Sequence, residues 1–170
     1  MRILHITEKM VELAELPETL PEHGFLWIGC GRRQFEVQRE RLQTLLENWT
    51  GQPLVDLHVQ DLLSAQRPSS FDYTSHYDLL VFRRLAASAD SAKLFLDDEH
   101  GTLSSAKEAL RSIDTSPVGF AVFDRVLITV HPADCPIREG FIHRLRQMSA
   151  THVQTGVQAR LANLRLPPSP

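Results

Sequence analysis

The stretch VGFAVFDRVLITVHP, residues 118–132, constrains the fold more than any other part of the chain. Val118, Phe120 and Val122 alternate with smaller residues, Asp124-Arg125 supplies a two-residue break, and Val126, Ile128 and Val130 resume the alternation. A period of two on either side of so short a break predicts a β-hairpin, with 118–123 and 126–131 antiparallel. An isolated hairpin is marginal in water, so this one requires a larger sheet and a covering layer. Phe120 and Trp27 are expected to be buried there. His131 closes the second strand, a position that reads as a hydrogen-bonded structural histidine rather than a general base.

The remaining elements follow from hydrophobic spacing. Residues 2–6 form a short first strand, and the continuous run Phe25, Leu26, Trp27, Ile28 within 22–30 marks a more deeply buried one. Phe35, Leu42, Leu45, Leu46 and Trp49 recur at helical spacing, predicting a helix over 35–49 that Gly51 and Pro53 terminate. A second helix is expected within 57–68, with Leu57, Asp61, Leu62 and Leu63 in register and Pro68 as its limit. A strand returns at 77–86, and a helix over 137–148 follows Pro136 with Ile137, Phe141, Leu145 and Met148 on one face. Residues 87–115 read as irregular, and LRLPPSP, 164–170, reads as a Pro-rich linker, which leaves 1–163 as a single α/β domain.

Several function classes lose support at this stage. The net charge of −3, with basic residues scattered among acids, gives no cationic stripe for a phosphate backbone, so nucleic acid is not an expected partner. Cys30 and Cys135 stand far apart with no partner at ligand spacing, which fits reduced thiols rather than a disulfide framework or a zinc knuckle. No apolar run approaches the ~18 residues that a membrane helix needs. The Gly29-Cys30-Gly31 turn after a strand suggests a cofactor loop, and a small methyltransferase-like α/β enzyme is the alternative reading. Gln34 stands where the dinucleotide fingerprint needs its third glycine, so the turn is expected to redirect the chain and to bind no organic cofactor. Asp97, Asp98, Glu99 and His100 have metal-ligand chemistry, but consecutive side chains diverge, and a solvated loop is expected there. No nucleophile–base pair stands out, so the chain is read as a non-enzyme.

Three stretches in order resemble one family. LHVQDLLSAQRPSSFDYTSHYDLLVFRRL (57–85) is similar to the segment of the CorA divalent-cation transporters in which an acidic, Leu-rich helix leads through Gln-Arg-Pro into a strand. VGFAVFDRVLITVHP resembles that family's hairpin ending in Thr-Val-His, and FLWIGC its early Trp-Ile strand. The resemblance covers residues 25–148 and implies an α/β/α layered sandwich, a central mixed sheet flanked by helices. It also implies a regulatory, scaffolding domain on the cytoplasmic side of the inner membrane, part of a homopentamer that carries Mg²⁺, Co²⁺ or Zn²⁺.

Asp61 in VQDLL matches the family's acidic contribution to a weak regulatory Mg²⁺ site shared with a neighbouring subunit's stalk helix, with Gln60 where the family often has a second acid. The family's pore signature, Gly-Met-Asn, does not occur in these 170 residues. The resemblance therefore leads one to expect a reading frame that continues beyond Pro170 into a stalk helix and two membrane spans. The piece without those spans is expected to be soluble and to touch the membrane only through them.

Overall fold

A computed structural model describes residues 1–85, 115–132, 135 and 138–149. Among the described residues seven strands form one sheet: β1 (Arg2–Ile6), β2 (Met10–Leu13), β3 (Phe25–Gly31), β4 (Ser70–Tyr73), β5 (Tyr77–Leu85), β6 (Thr115–Phe123) and β7 (Val126–His131). Their order is β2-β1-β3-β7-β6-β5-β4. Every pairing is antiparallel except β3 with β7, which run parallel from Leu26↔Val126 to Gly31↔His131. The sheet is mixed because antiparallel ribbons on either side meet at that single parallel seam. The expected hairpin is present as β6–β7, with Gly119↔Val130 to Val122↔Leu127 in register.

Two helices, α1 (Arg32–Thr50) and α2 (Asp56–Leu63), cover one face of the sheet. α1 buries Phe35, Leu42, Leu45 and Leu46, the stripe that the spacing predicted, against Leu26, Ile28, Val126 and Ile128. Each such side chain contributes ~1.5–3 kcal/mol through burial. Gly51 ends α1 in the left-handed conformation, φ 83°, and its N–H bonds the Glu47 carbonyl. A third helix, α3, spans 138–149 and lies on the opposite face, where Ile142 and Leu145 pack with Leu4, Trp27 and Leu127. The arrangement is α/β/α.

Several local expectations need correction. β2 and β4 are short edge strands whose outer residues are exposed, so their apolar signal is weak. α2 is shorter than 57–68, ending where Ser64 is already extended, four residues before Pro68. It buries His58, Val59, Asp61 and Leu62, while Leu57 faces solvent. On α3 the buried residue is Ile142; Phe141 and Met148 are more than half exposed, and Ile137 lies outside the described residues. Phe120 is only partly buried, because it sits on the α3 side of β6, where Phe82 meets it edge-on at 5.9 Å. Trp27 is buried as expected, its indole N–H bonding Thr129 Oγ1 at 3.0 Å. The irregular stretch (but for Thr115, the first residue of β6), the LDDEH cluster and the Pro-rich linker fall outside the described residues.

Candidate functional site

Asp61, the sequence-derived metal candidate, lies on the inner face of α2, 7% exposed. Its Oδ2 is 3.0 Å from the Arg67 guanidinium. The six-residue return from Asp61 to Arg67 turns the chain from α2 toward β4 and carries the cation back over its own carboxylate. The Arg67 carbonyl accepts from Arg83 on β5 at 3.0 Å, which fixes that turn to the sheet. Among the described residues no group of three His, Cys, Asp or Glu side chains is placed to hold an ion. As a metal site these residues do not fit on their own: one carboxylate is offered, and an arginine already occupies it.

The sequence reading missed a polar cluster beside it. His58, buried on α2, approaches the Tyr77 hydroxyl through Nδ1 at 2.7 Å and the Asp72 carboxylate through Nε2 at 3.0 Å. The carboxylate can only accept, so Nε2–H donates to Asp72 and Nδ1 accepts the Tyr77 proton. The same Tyr77 oxygen accepts from the Val55 N–H at 2.9 Å, the amide that opens α2. The bond from His58, then that from the Tyr73 N–H, holds the Asp72 carboxyl below its ordinary value. Burial raises the Tyr77 phenol. Asp, His and Tyr in line have the form of a proton relay, but the phenolic oxygen is committed to backbone and histidine, so the cluster ties α2 to β4 and β5. The signal available in the sequence was His58 one turn before Leu62, on the buried face.

His131 also proves structural. Its Nδ1–H donates to the Pro132 carbonyl at 2.7 Å, which leaves Nε2 to accept from Arg138 at 2.6 Å. Burial, together with nearby guanidiniums, lowers its pKa, so the ring is neutral and positions α3 against the end of β7. Burial pushes the Cys30 thiol up to about 12, which makes it a poor nucleophile. The Gly-Cys-Gly turn has a packing reason as well. A Cβ on Gly29 would sit 3.3 Å from Arg138 Cδ and 3.4 Å from Thr129 Oγ1, so α3's arginine occupies the space over that glycine. Gln34, in place of the fingerprint glycine, accepts the Gly31 N–H at 3.2 Å and closes the turn.

No protein-family profile matches the sequence, and no curated protein matches it as a relative. Solved structures do match. The cytoplasmic domain of ZntB from Vibrio parahaemolyticus RIMD 2210633 superposes with a TM-score of 0.56 at 13% identity, over 88% of this chain and 50% of that one. The CorA magnesium transporter from Methanocaldococcus jannaschii gives 0.53 at 14% identity, over 88% and 37%. The full-length CmaX protein gives 0.51 at 13% identity, over 95% and 46%. The chain thus spans half or less of the length of the structures it matches. With the seven-stranded mixed sheet between helices on both faces, these superpositions establish that the chain has the fold of the cytoplasmic domains of CorA and ZntB.

Proposed function

We propose that the chain is the regulatory and scaffolding domain of a CorA-like divalent-cation transporter, acting on the cytoplasmic side of the membrane within a homo-oligomer, a pentamer by the family resemblance. The observation that carries this reading is the shared fold over 88% of the chain with the ZntB cytoplasmic domain and the CorA transporter. The cation is substrate in this reading, Mg²⁺, Co²⁺ or Zn²⁺, and the residues described here supply no path for it. No helix among the described residues is long and apolar enough to cross a membrane.

Asp61 is the residue through which we propose that the domain responds to cation. A divalent ion competes there with Arg67 for one carboxylate and takes its remaining ligands from a neighbouring subunit, so the chain alone should bind Mg²⁺ weakly. The test is uptake by cells lacking the gene. Loss of divalent-cation uptake, restored by the whole reading frame but not by residues 1–170 alone, supports the assignment; unchanged uptake of all three cations contradicts it.

A further inference from the structure

α3 covers only part of its face of the sheet, where Ile142 and Leu145 meet Leu4, Trp27 and Leu127 on β1, β3 and β7. The strands β6, β5 and β4 continue beyond it, and their register sorts the side chains by face. Phe71, Leu80 and Phe120 form one cross-strand row on the α3 side, with Tyr73, Asp78 and Val122 in the next and Phe82 beside Val118 in a third. The alternate residues Asp72, Leu79 and Ala121 face α2 and its core. Among the described residues no helix lies over the outward rows: Tyr73 is 72% exposed, Phe71 62% and Phe82 53%. Phe71 and Tyr73 stack on each other at 6.3 Å along the sheet edge.

This open strip is bounded by α3 on one side and by the bare strand β4 on the other. Glu139 and Arg146 tie one flank of α3 to Arg2 and Glu12, on β1 and β2. Phe141 and Met148, both more than half exposed, lie on the opposite flank, toward β6. A strip with an apolar helix wall at one margin and an aromatic edge strand at the other is its own complement. Turned about a two-fold axis parallel to the strands, a second copy lays its strip on the first, and each β4 comes against the other copy's α3 wall. Facing sheets pack about 10 Å apart, the thickness of a helix, so both walls fit the same gap. Asp78 and Arg84 bound the outward rows of β5 at either end, as the polar rim of an interface does. Three strands ~4.8 Å apart, averaging about seven residues at ~3.4 Å each, give a floor of roughly 350 Å² in projection. Side-chain relief and the α3 flank about double the accessible area, so two copies together cover roughly 1,200–1,400 Å², the lower end of stable interfaces.

We propose that this strip binds a second copy of the chain, forming a two-fold, face-to-face sheet sandwich closed at each margin by α3. A two-fold contact is not the ring contact of a pentamer, so the proposal stands apart from the transport reading. Sedimentation equilibrium on the chain between about 1 and 200 µM tests it: the average mass should climb from one copy to two and stop there. Phe82→Glu in the middle of the strip and Tyr73→Glu at its margin alter exposed side chains; each should raise the dissociation constant about tenfold or more, with the melting temperature at about 1 µM near that of the parent. Phe141→Glu should do the same, because the α3 wall is half of the contact. Leu57→Glu, the same kind of change at an equally exposed residue of α2 on the other face, should stay within about twofold. A single-copy mass over the whole range, growth past two copies, or a dissociation constant unchanged by Phe82→Glu, Tyr73→Glu or Phe141→Glu overturns the proposal.

Discussion

Tyr77 ties the start of α2 to the sheet through one oxygen, which serves the Val55 amide and His58 at once. Tyr77→Phe keeps the ring and strands both partners in a buried site, so it should cost about 1–3 kcal/mol in urea unfolding, more than Tyr73→Phe on the exposed edge. His131 gives a pH signature. Its folded pKa lies below the ordinary histidine value, so its contribution is complete above about pH 6.5 and is lost as pH falls from there toward the folded value. Unfolding followed from pH 7.5 to pH 5 should therefore show declining stability, with a shallower slope in His131→Gln; an identical slope would remove His131 as a source of the acid sensitivity. Asp72, also shifted down, adds a loss at lower pH, as its carboxylate protonates and the bond to His58 weakens. These residue-level roles were only partly legible in advance. His131 reads as structural because a buried strand end dictates it, whereas the His58–Asp72 pairing depends on β4, whose four residues carry little pattern.

At the scale of elements, α2 sits unusually close to β6. A Cβ on Gly119 would fall 2.3 Å from Leu62 Cδ2, and Leu62 is itself buried, so Gly119→Ala must displace a packed side chain and should cost about 1–3 kcal/mol. Combining it with Leu62→Ala should cost less than the sum of the two single changes; strict additivity would show that α2 does not rest on Gly119. Phe120→Ala should cost about 1–2 kcal/mol, below the 3–5 typical of a fully buried phenylalanine, since the side chain is only partly buried and Phe82 meets it edge-on. The hairpin and α1 were readable because each has a long, clean period matching its environment: β6 and β7 lie inside the sheet, and α1 shows one apolar stripe to it. On α3 Leu145 packs as the spacing predicted, but Ile142 takes the place expected of Phe141, because both are large and apolar. Spacing alone did not decide which faces the sheet; Trp27 does, packing with Ile142 and meeting Phe141 only edge-on. Gly24 holds another junction that composition hides, with φ 76° and a Cβ position 2.2 Å from the Ile6 carbonyl, beside the Arg125 side chain that bonds its oxygen.

For the whole molecule, the layer order and the single parallel seam give the Gly-Cys-Gly turn a structural role: the strand-to-helix junction belongs to the architecture, and Arg138 of α3 packs over Gly29. The candidate metal residue was legible as a position but not as an environment. Asp61 lies on α2, within the stretch where the spacing predicted a helix, and its Arg67 partner follows from a turn whose geometry no periodicity encodes. Calorimetry with MgCl₂ should accordingly detect no tight one-to-one binding to this chain, and Asp61→Asn should leave whatever weak heat appears further reduced; tight binding unaffected by Asp61→Asn would place cation sensing elsewhere. Transport is the activity proposed for the whole protein. The most direct measurement is divalent-cation entry into proteoliposomes containing the product of the complete native reading frame, followed with an internal metal-sensitive dye. A CorA-like transporter should pass at least one of Mg²⁺, Co²⁺ and Zn²⁺, a flux that residues 1–170 alone do not support; a reading frame with no membrane-spanning segment, or a reconstituted product that passes none of the three ions, is the opposite outcome.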